Sequence, residues 1–188
     1  MGYTTDFKGE FTLDKPLEYK HAFYLREFSR TRRMRRSEKI AAKLLDPVRE
    51  AVGLPVGKEG CYFVGGGGFA GQDSDASILD YNDAPGRIWD KKTYEDTVKP
   101  WAQPGLWCQW VPTEDGTGIE WNGAEKFYAY VEWLEYIVEH FLKPWGYKLS
   151  GEVEWQGEDA ADTGFIVAEK NEVWTEEVKR VRKRKKRK

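Results

Sequence analysis

Thiols and imidazoles are scarce in this sequence. Cys61 and Cys108 are its two cysteines, and His21 and His140 its two histidines, in 188 residues. No Cys-x-x-Cys spacing occurs, which argues against a disulfide framework or a thiolate metal site and fits a reducing compartment. No apolar run approaches the ~20 residues of a membrane span. The opening MGYTTDFKGE lacks a signal-peptide core, and Asp6 stands where a myristoylation pattern needs Ser or Thr. Catalytic signatures are missing too: there is no His-Glu-x-x-His, no Gly-x-Ser-x-Gly and no Gly-Lys-Ser/Thr. Gly66, Gly68 and Gly71 formally match Gly-x-Gly-x-x-Gly, but Gln72-Asp73-Ser74-Asp75 follows instead of an amphipathic helix. A glycine-rich turn is the expectation there, not a nucleotide site. An enzyme is disfavoured, and no cofactor, no metal and no catalytic residue is assigned.

Charge, by contrast, is plentiful and segregated. Thirty Lys+Arg stand against 32 Asp+Glu, a net of −2. Nine of the cations crowd into the end of the chain, at Lys179, Arg180, Arg182, Lys183, Arg184, Lys185, Lys186, Arg187 and Lys188. Without them the balance is 21 against 32, or −11. A run of like charge repels itself and stays solvated, so residues 179–188 are expected to be a disordered basic tail that attracts polyanions. A second basic cluster runs from Arg26 to Lys39 and includes Arg32, Arg33, Arg35 and Arg36. Read as the C-terminal end of a helix over 17–34, it either extends the tail's nucleic-acid footprint or is a solvated helix end paired with the acidic body.

Hydrophobic periodicity outlines the rest. Residues 6–13 alternate as a half-buried strand. Residues 39–52 suggest a short helix broken at Pro47, and residues 61–64 a short apolar strand. From 36 to 104 regular pattern is weak, as in a long irregular insertion. Residues 106–111 and 118–121 predict two strands around the turn 113–116. Residues 124–142 carry Phe127, Val131, Leu134, Val138 and Phe141 at helical spacing, with Glu132, Glu135 and Glu139 on the other side. Residues 147–156 alternate again, and a hairpin about Lys170-Asn171 follows. Strand, helix, strand, strand, helix, strand predicts an α+β fold of the ferredoxin-like, split β-α-β kind. One domain over 1–178 is expected, followed by the tail.

On that fold Glu10, Glu120, Glu152 and Glu154 point outward from the sheet. Carboxylates there repel phosphate, so the sheet is not expected to be an RNA platform. It is an ordinary solvent face, a metal-dependent catalytic face, or a surface for a cation. Asp73, Asp75, Ser77 and Asp80 invite a calcium reading, but Ile78 and Ala84 occupy the positions where an EF-hand needs Gly and Glu. Glu158, Asp159 and Asp162 form another acidic group. Cys108 with His140 is the one conceivable thiol pair, and His21 reads as a helix-surface residue.

The stretches GLWCQWVPTEDG (105–116), EKFYAYVEWLEYIVEHFLKPWGY (125–147) and GEVEWQGED (151–159) resemble a family of small bacteriophage and bacterial proteins without an assigned activity. The opening GYTTDFKGEFTLDKPL, DPVREAVGLP and GGFAGQD are similar to it as well, while 87–103 and the tail depart from it. The resemblance implies a phage context in the cytoplasm of a bacterial host. The expectation is a non-enzymatic accessory protein whose acidic body contacts a protein partner and whose tail binds nucleic acid or a ribonucleoprotein. Its alternatives are an anti-defence inhibitor that presents Glu132, Glu135 and Glu139 as phosphate mimics, and a metal-dependent enzyme on the acidic sheet face. No membrane partner is expected, and the oligomeric state stays open.

Overall fold

Gly9 and Glu10 interrupt what the alternation presents as one strand. In the computed structural model, which describes residues 2–65, 75–87 and 99–177, the chain opens as β1 (Thr5–Lys8) and β2 (Phe11–Leu13). Gly9 lies between them at φ 108°, a backbone region that glycine adopts without steric cost. The break lets both pieces pair with one long strand, β7 (Leu149–Gly157). Between them come α1 (Tyr19–Arg30), β3 (Arg35–Arg36), α2 (Glu38–Ala41), α3 (Pro47–Ala51), β4 (Ile78–Asp80), β5 (Trp110–Pro112), β6 (Gly118–Trp121) and α4 (Tyr130–Ile137). β8 (Thr163–Glu169) and β9 (Glu172–Glu177) close the described chain.

The fold is α+β. Its main sheet runs β5-β6-β2-β7-β8-β9, with β1 also on β7 and every pairing antiparallel. Phe11, Ile119, Leu149, Val153 and Ile166 leave the sheet on one face and are fully buried. Helices α1 and α4 cover that face with Tyr24, Leu25, Phe28, Trp133, Leu134 and Ile137. Aromatic rings knit the layers edge-to-face: Phe28 meets Phe141 at 5.0 Å and Phe11 meets Trp110 at 5.6 Å. Each large apolar side chain so buried is worth about 1.5–3 kcal/mol.

Several boundaries differ from the periodicity. The helix expected over 17–34 stops at Arg30, because Thr31 turns extended at φ −94°, ψ 124°, and residues 32–36 leave as extended chain. Residues 61–64 form a turn after a 3₁₀ segment at Lys58–Gly60 and make no strand. The helix expected from 124 starts at Tyr130, since Lys126 and Ala129 have positive φ. It continues as a π turn over Val138–Leu142, the wide turn that absorbs one extra residue. Gly146, at φ 78°, ends it. The insertion is not structureless: α2, α3 and the β3–β4 pair lie within its described residues.

The expected terminal hairpin is present. Lys170 and Asn171 take φ 50° and 77°, the positive values a tight two-residue turn requires. Asn171 also accepts the Leu149 N–H at 2.7 Å and donates to Tyr147 O at 2.8 Å, which ties the turn to β7. Inside the sheet, Trp155 lies across Gly164 of β8, its Cα partner. A Cβ at 164 would sit 2.3 Å from the Trp155 ring. Gly164→Ala should therefore lower unfolding stability by about 1–3 kcal/mol, read from the urea midpoint of the full chain; an unchanged midpoint would refute this packing.

Candidate functional site

The basic stretch Arg32 to Arg36 is turned inward rather than presented. Arg33 is 2% exposed. Its two terminal nitrogens donate to the carbonyls of Phe63 and Cys61 at 2.8 Å each, and its Nε to Gln103 Oε1 at 3.3 Å. The guanidinium stacks 4.2 Å from the Phe28 ring centre. Burial lowers its pKa from the ordinary arginine value, yet a guanidinium keeps its proton throughout the working pH range.

Arg36 is equally buried and donates to Asp75 at 2.7 Å and Ser77 Oγ at 2.6 Å. Burial by itself would raise the Asp75 pKa, but the hydrogen bonds from Arg36 and Ser77 outweigh it and hold the carboxyl below its usual range. Arg35 makes a two-pronged pair with Glu59, at 3.0 and 2.8 Å. Arg32, the most outward of the four in its bonding, donates to Tyr81 O at 3.0 Å and lies 4.4 Å over the Tyr81 ring.

These placements revise the sequence reading. Arg33 and Arg36 cannot reach a phosphate without leaving the core, and Arg35 is already neutralised. Asp75 is occupied by Arg36, which removes it from a calcium loop. Lys179, Arg180 and Arg182 to Lys188, like Gly66, Gly68, Gly71 and Asp73, lie outside the described residues.

Around Arg33 lies a polar cluster that the sequence pattern does not signal. Gln103 Nε2 donates to Cys61 O at 2.6 Å and Tyr136 OH at 3.1 Å. Tyr136 stacks on His140 at 4.1 Å. His140 Nε2 is 2.8 Å from Pro100 O, which only accepts, so Nε2 carries the proton and Nδ1 accepts from Tyr62 OH at 2.7 Å. Burial lowers the His140 pKa. His21 is not a surface residue: it is 6% exposed, stacks on Trp145 at 4.2 Å and shares a hydrogen bond with Tyr147 OH at 2.9 Å, with its pKa also lowered by burial. The thiols are protonated at neutral pH, because burial pushes Cys61 up to about 11 and Cys108 up to about 12. Cys108 Sγ faces Trp110 O, and His140 is committed to Tyr62 and Pro100, so neither serves as the other's partner.

The acidic groups stay outside. Residues 104–177 hold 16 Asp+Glu against four Lys. Glu132, Glu135 and Glu139 are all exposed along α4 and the π turn, and Glu139 pairs with Lys143 at 2.9 Å. Partial burial, with Glu132 nearby, raises the Glu135 pKa. On the far side of the sheet, a shallow depression is lined by Glu10, Thr113, Glu114, Asp115 and Glu120. Asp115 is spent on its own turn, accepting from Thr113 and twice from Thr117. Among the described residues no three His, Cys, Asp or Glu side chains are grouped to hold a metal ion, and no helix is long and apolar enough to cross a membrane.

Removing Arg33 takes the side-chain donor from the buried Phe63 carbonyl and leaves Cys61 O with Gln103 alone. Arg33→Ala should cost about 3–5 kcal/mol in urea denaturation, whereas Arg32→Ala should cost about 1 kcal/mol or less; similar losses for the two would contradict the inward placement. The histidines give a pH signature. Both have folded-state pKa values below the unfolded value near 6.5, so the unfolded chain binds more protons as pH falls. Their contribution is complete above about pH 6.5 and is lost as pH drops through that value toward the folded pKa. The urea midpoint should fall between pH 7.5 and 5.5, and His21→Gln with His140→Gln should flatten that fall.

Comparison of the chain with protein-family models, with curated proteins and with solved structures gave no match.

Proposed function

We propose that this protein is a non-enzymatic accessory binding protein whose acidic body meets a basic protein partner and whose basic tail holds nucleic acid or a ribonucleoprotein. One observation carries the first half: Arg33 and Arg36 are buried and Arg35 is paired with Glu59, while Glu132, Glu135 and Glu139 remain exposed along α4 and the π turn. In residues 104–177 acidic side chains outnumber basic ones sixteen to four, and a face of that character steers and orients a cationic partner. The phage setting, within a bacterial cytoplasm, belongs to the same proposal and rests on the sequence resemblance alone.

The order β5-β6-β2-β7, with α1 and α4 following the first and third of the strands in chain order, supports a ferredoxin-like split β-α-β unit. The β8–β9 hairpin then extends that unit on the β7 side.

A second reading uses the same exposed stripe. Three carboxylates in line on a helix also suit phosphate mimicry toward a host nucleic-acid-binding protein, as an anti-defence inhibitor would need. The two readings separate on the tail: an inhibitor acting through α4 does not need residues 179–188.

Two changes to the full chain test the proposal. Glu132→Gln, Glu135→Gln and Glu139→Gln together should weaken capture of a basic host protein at least tenfold, and retained capture would refute the α4 surface. Deleting 179–188 should abolish binding to a fluorescent single-stranded oligonucleotide. In the intact chain, log K against log salt should fall with a slope of up to about −6 if all nine tail cations engage. Unchanged oligonucleotide binding by the deletion would sink the tail reading.

A further inference from the structure

The sheet face opposite the helices carries an apolar row set among carboxylates. Ile166 and Ala168 of β8 point into the core, so Phe165 and Val167 point out; both are only half-buried. Register then fixes their neighbours. Across Phe165 stand Glu154 on β7 and Glu176 on β9; across Val167 stand Glu152 and Trp174. Trp174 is 36% exposed, and its indole N–H donates to Glu176 at 3.1 Å, which holds the ring in place. At the hairpin end Glu169 faces Glu172 directly. The cations on these rows are few: Lys8 opposite Glu154, and Lys170 in the turn.

Two features of this arrangement point to a ligand. Like charges directly opposite each other, as Glu169 and Glu172 are, destabilise a sheet, and a cation lying across them removes that cost. A tryptophan beside two half-buried apolar side chains, ringed by charge, has the composition of an interface anchor with a polar rim. Carboxylates on both sides of the row exclude an anionic occupant.

We infer that the outer face of β7, β8 and β9 docks a cationic protein segment that lays apolar side chains along Phe165, Val167 and Trp174 and its Lys or Arg side chains against Glu152, Glu154, Glu169, Glu172 and Glu176. Successive outward residues on one strand are about 6.7 Å apart, so an extended segment alternating basic and apolar residues matches the row. This surface lies on the opposite side of the sheet from α4 and stands independently of the reading given to Glu132, Glu135 and Glu139.

The test uses the full chain at low salt and two fluorescein-labelled peptides of equal charge, KLKLKLKLK and KGKGKGKGK. Anisotropy should show the leucine peptide binding at least tenfold more tightly. Trp174→Ser should erase that preference while both peptides still bind weakly. Glu152→Gln with Glu154→Gln should weaken both peptides and keep the preference. Glu132→Gln, Glu135→Gln and Glu139→Gln should leave the preference unchanged, which separates this surface from the α4 stripe.

Equal binding of the two peptides, or a preference that survives Trp174→Ser, overturns the inference. So does a preference that appears only after residues 178–188 are removed, since the occupant would then be the chain's own tail. Concentration-dependent self-association in sedimentation, abolished by Trp174→Ser, would overturn it in favour of a second copy.

Discussion

A single buried guanidinium ties the two parts of this molecule together. Arg33 follows α1, and its partners Cys61, Phe63 and Gln103 belong to the insertion. Two backbone carbonyls and the Gln103 amide oxygen, not carboxylates, accept its hydrogen bonds, so the charge is stabilised by dipoles and by the face of Phe28. Such an arrangement is costly to desolvate and costlier to break, because removing the cation strands the acceptors in a dry interior. The insertion contributes little apolar area of its own through α2 and α3, each no longer than five residues. Its attachment combines the buried Val48 and Val64 with polar anchors: Arg33, the Arg35–Glu59 pair, and the hydrogen bonds that tie His140 to Tyr62 and Pro100.

The same anchoring sets the surface. Arginines that join the insertion to the domain are withdrawn from solvent, and the acidic side chains of the second half have few cations left to meet. Glu132, Glu135 and Glu139 along α4 and the π turn, with the carboxylates on the outer sheet face, give residues 104–177 their acidic surface. Buried His21 and half-buried His140 add a mild acid sensitivity, while the two buried thiols stay protonated.

Local pattern made most of the scaffold legible. Alternation in 147–156 matches β7, and Lys170-Asn171 marks a turn whose positive φ values the residues accept. The exposed glutamates of 132–139 also follow from helical spacing. Where the pattern misled, a longer-range interaction had overridden it. Helical spacing continued through Arg33, but the chain leaves the helix at Thr31, whose hydroxyl bonds back to Glu27 O at 2.7 Å, and enters the interior as an extended segment. Cys61 to Val64 look like a strand because they are apolar, yet the Cys61, Tyr62 and Phe63 carbonyls are claimed by the side chains of Arg33, Gln103 and Tyr24 rather than by a neighbouring strand.

The sequence by itself determined the α+β class, the strand and helix periodicities, the acidic stripe and the division of charge along the chain, because each depends on residues close together in the sequence. Only the tertiary structure decided which charges face water. Arg33 and Arg36 read as solvated cations among their neighbours, and they are buried because acceptors roughly 30 to 70 residues away converge on them. The sheet likewise brings Glu152, Val167 and Trp174 into one row across three strands. Register across strands, unlike periodicity within one, is set by the packing of the whole sheet.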